Sequence, residues 1–162
     1  MIRELGELEW ELLRALRLRA LRESPDAFSP LAEDVAREPD DYWQRGARTL
    51  ASEHAHLFVA ERDGAAAGLV SATAAAGTGY IGAMRIDPAA RGGGLGRALL
   101  AAACTWLRAR GCARLALTVT ETNAAAIALY ESAGFQLTGE FEPLREGSPL
   151  RNLKMVATGG SA

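Results

Sequence analysis

The stretch RIDPAARGGGLGRALL, residues 85–100, changes character twice within sixteen positions. An apolar run ends in Asp87-Pro88, glycine then fills positions 92, 93, 94 and 96, and an Ala/Leu-rich segment begins at once. This order predicts a strand ending near Asp87, a glycine loop, and a helix starting at about Leu95 or Gly96. The first amides of a helix have no intrahelical acceptor and carry the positive end of its dipole, and glycine puts no Cβ in the way of an approaching ligand. The loop therefore suits an anion, and a pyrophosphate in particular. A flexible joint is the competing reading.

Register separates the nucleotide alternatives. A GxxxxGK[ST] phosphate loop needs a lysine, and none occurs between residues 62 and 153. A dinucleotide GxGxxG also fails, because its sixth position is Arg97 when counted from Gly92 and Leu99 when counted from Gly94. What fits is R-x-x-G-x-G, running from Arg91 to Gly96 and followed by Arg97.

Working outward, HLFVAERDGAAAGLVSATAAAGTGYIGAMRID (residues 56–87) contains three short apolar runs broken at Asp63-Gly64 and Gly77-Thr78-Gly79. It predicts three antiparallel strands, about 56–62, 67–75 and 80–87, joined by tight turns. Towards the amino terminus, Leu8, Leu12, Leu16 and Leu18 alternate with Glu9, Glu11, Arg14, Arg17 and Arg19, a helical stripe whose arginines read as a solvated outer face. A short helix over 31–37 and another capped by Asp40 or Asp41 should follow. Downstream of the glycines, Leu95, Leu99, Ala103, Trp106 and Leu107 mark one helix face ending at Gly111, RLALTV (114–119) reads as a strand, and AAAIALYESA as a helix opened by Thr122 or Asn123. FQLTGEFE and LRNLKMVA are two final strands, and residues 158–162 read as a flexible tail behind a single domain over 1–157.

The segment TNAAAIALYESAGF, residues 122–135, adds a second constellation. Asn123 and Tyr130 are seven positions apart, so they project from the same side of one helix, about 10 Å apart along its axis. Structurally, Asn123 could serve only as a helix cap and Tyr130 only as a core aromatic.

Together the two segments resemble the GCN5-related N-acetyltransferase (GNAT) superfamily. Its [RQ]-x-x-G-x-[GA] loop follows a strand ending in a V-D-P-like triplet, here Ile86-Asp87-Pro88, and its second signature resembles N-x-x-A-x-x-x-Y-x-x-x-G-F. The resemblance covers about residues 55–157 and implies a mixed, mainly antiparallel α/β sheet of six to seven strands with helices on both faces. It implies acetyl-CoA as cosubstrate and direct transfer of an acetyl group to a primary amine, small molecule or peptide. By the same resemblance, Met84, Arg85 and Ile86 pair through their backbone with the pantetheine arm. Arg91, Gly92, Gly93, Gly94, Leu95, Gly96 and Arg97 take the pyrophosphate, Asn123 binds the amide-rich arm, and Tyr130 protonates the departing thiolate. Members resembling the ribosomal-protein alanine acetyltransferases carry a glutamate where this chain has Thr118, so the base stays open among Glu61, Glu121, His54, His56 and water. Acceptor contacts are expected from Phe28, Tyr42, Trp43 and Phe141, with Glu23, Asp26, Glu140, Glu142 and Glu146 as acids that could favour a cationic amine. The alternative function is a catalytically silent acyl-CoA-binding module.

Composition sets outer bounds. With 162 residues, 49% of them apolar, the chain can bury one continuous core. A net charge of −2 lacks the basic footprint of a nucleic-acid binder. Cys104 and Cys112 have neither the spacing nor the companion histidines of a zinc site, so no metal is expected. The amino terminus has charges every few residues and no apolar core of the kind a signal peptide or membrane span needs. A cytoplasmic protein is expected, with no membrane partner and a homodimer left open.

Overall fold

The computed structural model describes residues 1–159. Its elements run β1 (Ile2–Glu4), α1 (Trp10–Glu23), α2 (Ala32–Val35), α3 (Asp40–Thr49), β2 (Ala55–Arg62), β3 (Ala65–Ala75), β4 (Thr78–Ile86), α4 (Leu95–Ala109), β5 (Arg114–Thr120), α5 (Ala124–Ser132), β6 (Gln136–Pro143) and β7 (Arg151–Thr158). The strands form one sheet in the order β1-β2-β3-β4-β5-β7-β6. Every neighbouring pair is antiparallel except β4 and β5.

Both hairpins close through two residues with positive φ, the twist that matches the flanking strands. Asp63 and Gly64 make the first turn, with φ of 53° and 78°, and Ala76 and Gly77 the second, with 49° and 81°. The second turn thus lies one residue earlier than the glycine spacing predicts, and Thr78 already pairs with Ala75. Strand β1 is absent from the sequence reading: three residues carry no periodicity, and pairing with Phe58–Ala60 alone makes them a strand. Thr158 is not part of the tail, for it pairs with Arg114 at the end of β7. Residues 160–162 lie outside the described residues.

The sheet is covered on both faces, and strand alternation distributes the side chains. Along β2, Leu57 and Val59 point to a layer made by α1 and α3 with Leu13, Leu16, Leu21 and Trp43. Phe58 and Ala60 point to the opposite layer, where α4 contributes Leu99, Leu100, Ala103 and Leu107. In α1 the predicted stripe holds at Leu16 and Leu18, which are buried. Leu8 lies before the helix and is exposed, and the rest of the buried face runs through Leu13, Ala20 and Leu21. Arg17, four residues from both Leu13 and Leu21, sits on that face and not on a solvated one. Asp40 and Asp41 form the first turn of α3 behind Pro39 and do not cap it by side chain.

Candidate active site

A cleft of about 830 Å³ opens where the two parallel strands separate. β4 and β5 pair only over Thr78–Tyr80 and Arg114–Ala116, while β4 stays with β3 and β5 with β7. Beyond Tyr80 the β5-facing edge of β4 has no partner strand, so its backbone donors and acceptors from Ile81 to Arg85 are presented to the cleft. β4 also carries a bulge there. Gly82 opposes Ser71 and Arg85 opposes Leu69, so Ala83 and Met84 together oppose one residue, Val70. Ala83 takes φ of 53°, a left-handed conformation that re-aims the neighbouring amides.

The glycine loop closes one end of the cleft. Gly94, at φ of 85°, is the N-cap of α4, and Gly92 also has positive φ, at 83°. The first intrahelical bond runs from the Ala98 N–H to the Gly94 carbonyl, leaving the amides of Leu95, Gly96 and Arg97 unused by the helix. A Cβ on Gly92 or Gly94 would meet no protein atom within 4 Å, so the bare backbone there faces open space, whereas one on Gly96 would rest in ordinary contact with Leu129, Ile86 and Met84. Arg91 braces the loop by donating from Nε to the Ile86 carbonyl at 3.1 Å.

Met84, Arg85, Ile86, Arg91, Gly92, Gly94, Leu95, Gly96, Asn123 and Tyr130 all line this one cleft, while Gly93 and Arg97 are absent from its wall. The Arg85 side chain is buried, donating to the Ile86 carbonyl at 2.6 Å and to the Glu23 carboxylate, so only its backbone faces a ligand. Asn123 caps α5 by accepting the Ala126 N–H on Oδ1 at 3.3 Å, which leaves its amide nitrogen as donor. Tyr130 is buried against Phe135, and burial pushes its phenol pKa up to about 12.

A further wall is formed by Ser24–Pro30, with Arg17, Thr118, Thr120 and Asn152. This wall is clamped: Arg145 donates to the carbonyls of Pro25, Phe28 and Ser29, and Thr120 Oγ1 donates to the Asp26 carbonyl at 2.5 Å. Asn152 Nδ2 donates to Thr118 Oγ1 at 3.3 Å, so the position expected for a glutamate holds a hydroxyl in a neutral pair.

None of Glu61, Glu121, His54 and His56 lines the cleft. Glu61 pairs with Arg3, Glu121 with Arg151, His54 with Glu53, and His56 stacks on Trp106. Among the expected acceptor contacts, Phe28 and Asp26 reach the cleft wall and Tyr42 and Trp43 line an adjoining cavity. Phe141 is exposed beneath the Arg151 guanidinium. Sequence reasoning missed Ser24, Thr120 and Asn152. It also missed Arg17, for which the spacing to Leu13 and Leu21 was the available signal. Among the described residues no group of three His, Cys, Asp or Glu side chains could hold a metal, and no helix is long and apolar enough to cross a membrane.

A mixed sheet opened between its two parallel strands, with a glycine-capped helix at the opening, is the α/β fold of the acetyltransferases. A family model described as the acetyltransferase (GNAT) family matches residues 13–135, and the chain belongs to that family. It is 39% identical over 128 residues to the mycothiol acetyltransferase of Thermobispora bispora, an alignment covering 75% of this chain and 41% of that protein. The corresponding protein of Beutenbergia cavernae is 36% identical over 132 residues, covering 80% and 42%. The chain thus spans about two fifths of the length of these curated relatives. A GNAT-family acetyltransferase from Streptococcus pneumoniae superposes with a TM-score of 0.83 at 26% identity, covering 99% of both chains. The protein yncA of Salmonella typhimurium, whose structure holds its cofactor acetyl-CoA, shares the fold at a TM-score of 0.78 and 21% identity, covering 100% of this chain and 95% of that one.

Proposed function

We propose that the protein moves an acetyl group from acetyl-CoA to a primary amine by direct transfer. The observation that carries this reading is the convergence of three features in one cleft: the open edge of β4, the glycine-capped start of α4, and the buried phenol of Tyr130. Acetyl-CoA supplies an activated acyl carbon and a thiolate leaving group.

The chain's own groups match what that chemistry asks for. The unpaired edge at Met84 and Arg85 can hydrogen-bond an amide-bearing arm as an added strand would, and an amide turned out by the bulge can polarise the thioester carbonyl. The amides of Leu95, Gly96 and Arg97 suit the pyrophosphate. As the amine nitrogen bonds to the acyl carbon, the carbon–sulfur bond breaks, the sulfur takes the Tyr130 proton, and the proton then shed by the acylated nitrogen restores the phenol, which is protonated at neutral pH and held more firmly so by burial. The ammonium loses its proton to water at the acceptor end, where Asp26 is the one carboxylate of the wall. The acceptor is a small-molecule amine, a reading supported by the names of the curated relatives. The cytoplasm, where acetyl-CoA is made and used, is the setting that fits.

Thermal shift with acetyl-CoA, CoA, ATP and NAD, followed by thiol release across an amine panel, tests this. Stabilisation by acetyl-CoA and CoA with amine-dependent thiol release is expected. Stabilisation by ATP alone overturns the reading, and CoA binding without thiol release on any amine makes the protein a silent acyl-CoA-binding module.

A further inference from the structure

Arg17 is a cation without an anion. Its Nη1 is buried and has no hydrogen-bond acceptor, and no ion pair among the described residues includes it. Its neighbours are matched: Arg85 has Glu23, Arg19 has Asp87 at 3.0 Å, and Arg145 is spent on the carbonyls of Pro25, Phe28 and Ser29. Burial lowers the Arg17 pKa, and the group that favours its charge is Tyr42, not a carboxylate. A guanidinium remains protonated even so.

Its position says what would complete it. Arg17 lies over the Phe28 ring, 5.2 Å from the centroid, where the main cleft meets a second cavity of about 400 Å³ that reaches Tyr42 and Trp43. The glycine loop heads α4, which covers the opposite face of the sheet from α1, so under the proposed function the molecule that reaches Arg17 is the acceptor. Asp26, the acid nearest in the wall, is largely exposed and turned to Arg145 at 3.9 Å. The clamped wall fixes the Phe28 ring against which the Arg17 guanidinium rests, and a guanidinium can hold a planar anion by two parallel hydrogen bonds.

We infer that Arg17 selects the acceptor by pairing with its carboxylate, so that the preferred substrates are amines that also carry a carboxylate group. This rests on the proposed function. The acceptor brings the anion that the protein omits, and an amine without one would leave a half-buried cation unpaired in the complex.

The experiment compares free amino acids with their carboxamides as acceptors, reading thiol release from acetyl-CoA, while calorimetry follows acetyl-CoA binding. The acids should show at least a tenfold higher kcat/KM. Arg17→Met should abolish that preference and leave acetyl-CoA affinity unchanged, and Arg17→Lys should restore part of it. Because the charge has no ion-pair partner in the free protein, Arg17→Met should lower Tm only slightly, by its contact with the Phe28 ring, whereas removing an ion-paired structural arginine would lower it clearly. Arg17→Gln serves as second variant if the methionine protein does not fold. Equal rates for acids and amides, or no turnover of either while acetyl-CoA still binds, overturn this inference. Loss of acetyl-CoA binding by the wild-type protein would instead overturn the function on which it rests.

Discussion

The guanidinium of Arg85 on β4 pairs with the carboxylate of Glu23 at the end of α1, tying the bulged strand that edges the cleft to the helix that carries Arg17. The Arg85 side chain is 3% exposed and that of Glu23 40%. Removing the acid strands a buried charge, but water reaches the Glu23 side and softens the loss. Glu23→Ala should therefore cost about 1–3 kcal/mol in urea denaturation, and adding Arg85→Met should recover part of it.

Tyr130 predicts both a rate and a pH effect. Tyr130→Phe should lower kcat about a hundredfold, with the KM for acetyl-CoA nearly unchanged. Burial raises the folded-state pKa from 10.0 to about 12. Below pH 10 the phenol is protonated in folded and unfolded chains alike. As pH rises from 10 to 12 the unfolded chain ionises first, so stability should fall by about 2–3 kcal/mol over that window. The phenylalanine variant should lack this component, which denaturation curves between pH 9 and 12 would resolve.

The glycines of the loop are not equivalent. Gly92 and Gly94 have positive φ, whereas a Cβ on Gly93 would meet only the Ala90 carbonyl oxygen at 3.9 Å. Alanine at position 92 or 94 should cost about 1–2 kcal/mol and weaken acetyl-CoA binding. Gly93→Ala should be silent in both measurements.

Asn123 combines two tasks that substitution can separate. Asn123→Ala removes the cap on Ala126 and should cost about 1 kcal/mol. Asn123→Asp keeps the accepting oxygen and loses only the amide donor. It should retain Tm while the KM for acetyl-CoA rises several-fold. An unchanged KM would leave Asn123 a cap and nothing more.

What could be read before folding was local. The strand, glycine loop and helix over residues 85–100 are written in composition and φ preference, and the seven-residue spacing of Asn123 and Tyr130 is helical geometry. The hairpin-linked strands β2 to β4 were legible for the same reason, since a two-residue turn leaves its mark in the turn residues themselves. Gly92 shows the limit: its letter matches that of Gly93, but only the path of the loop gives one of them a left-handed φ.

By itself, then, the sequence determined the order of elements from α1 onward, the register of the glycine loop and the side of α5 that carries Tyr130. Tertiary structure alone decided that β4 and β5 part after Tyr80, that Ile2–Glu4 is a strand, and that Arg85 turns its side chain to Glu23 and away from the cleft. It also decided the fate of Arg17. A charged residue in an amphipathic stretch reads as solvated, and what buries it is the wall from Ser24 to Pro30 and helix α3, neither adjacent to it in the chain. Local propensity reports on a residue's neighbours in sequence, whereas an unpaired buried charge depends on which distant elements close over it.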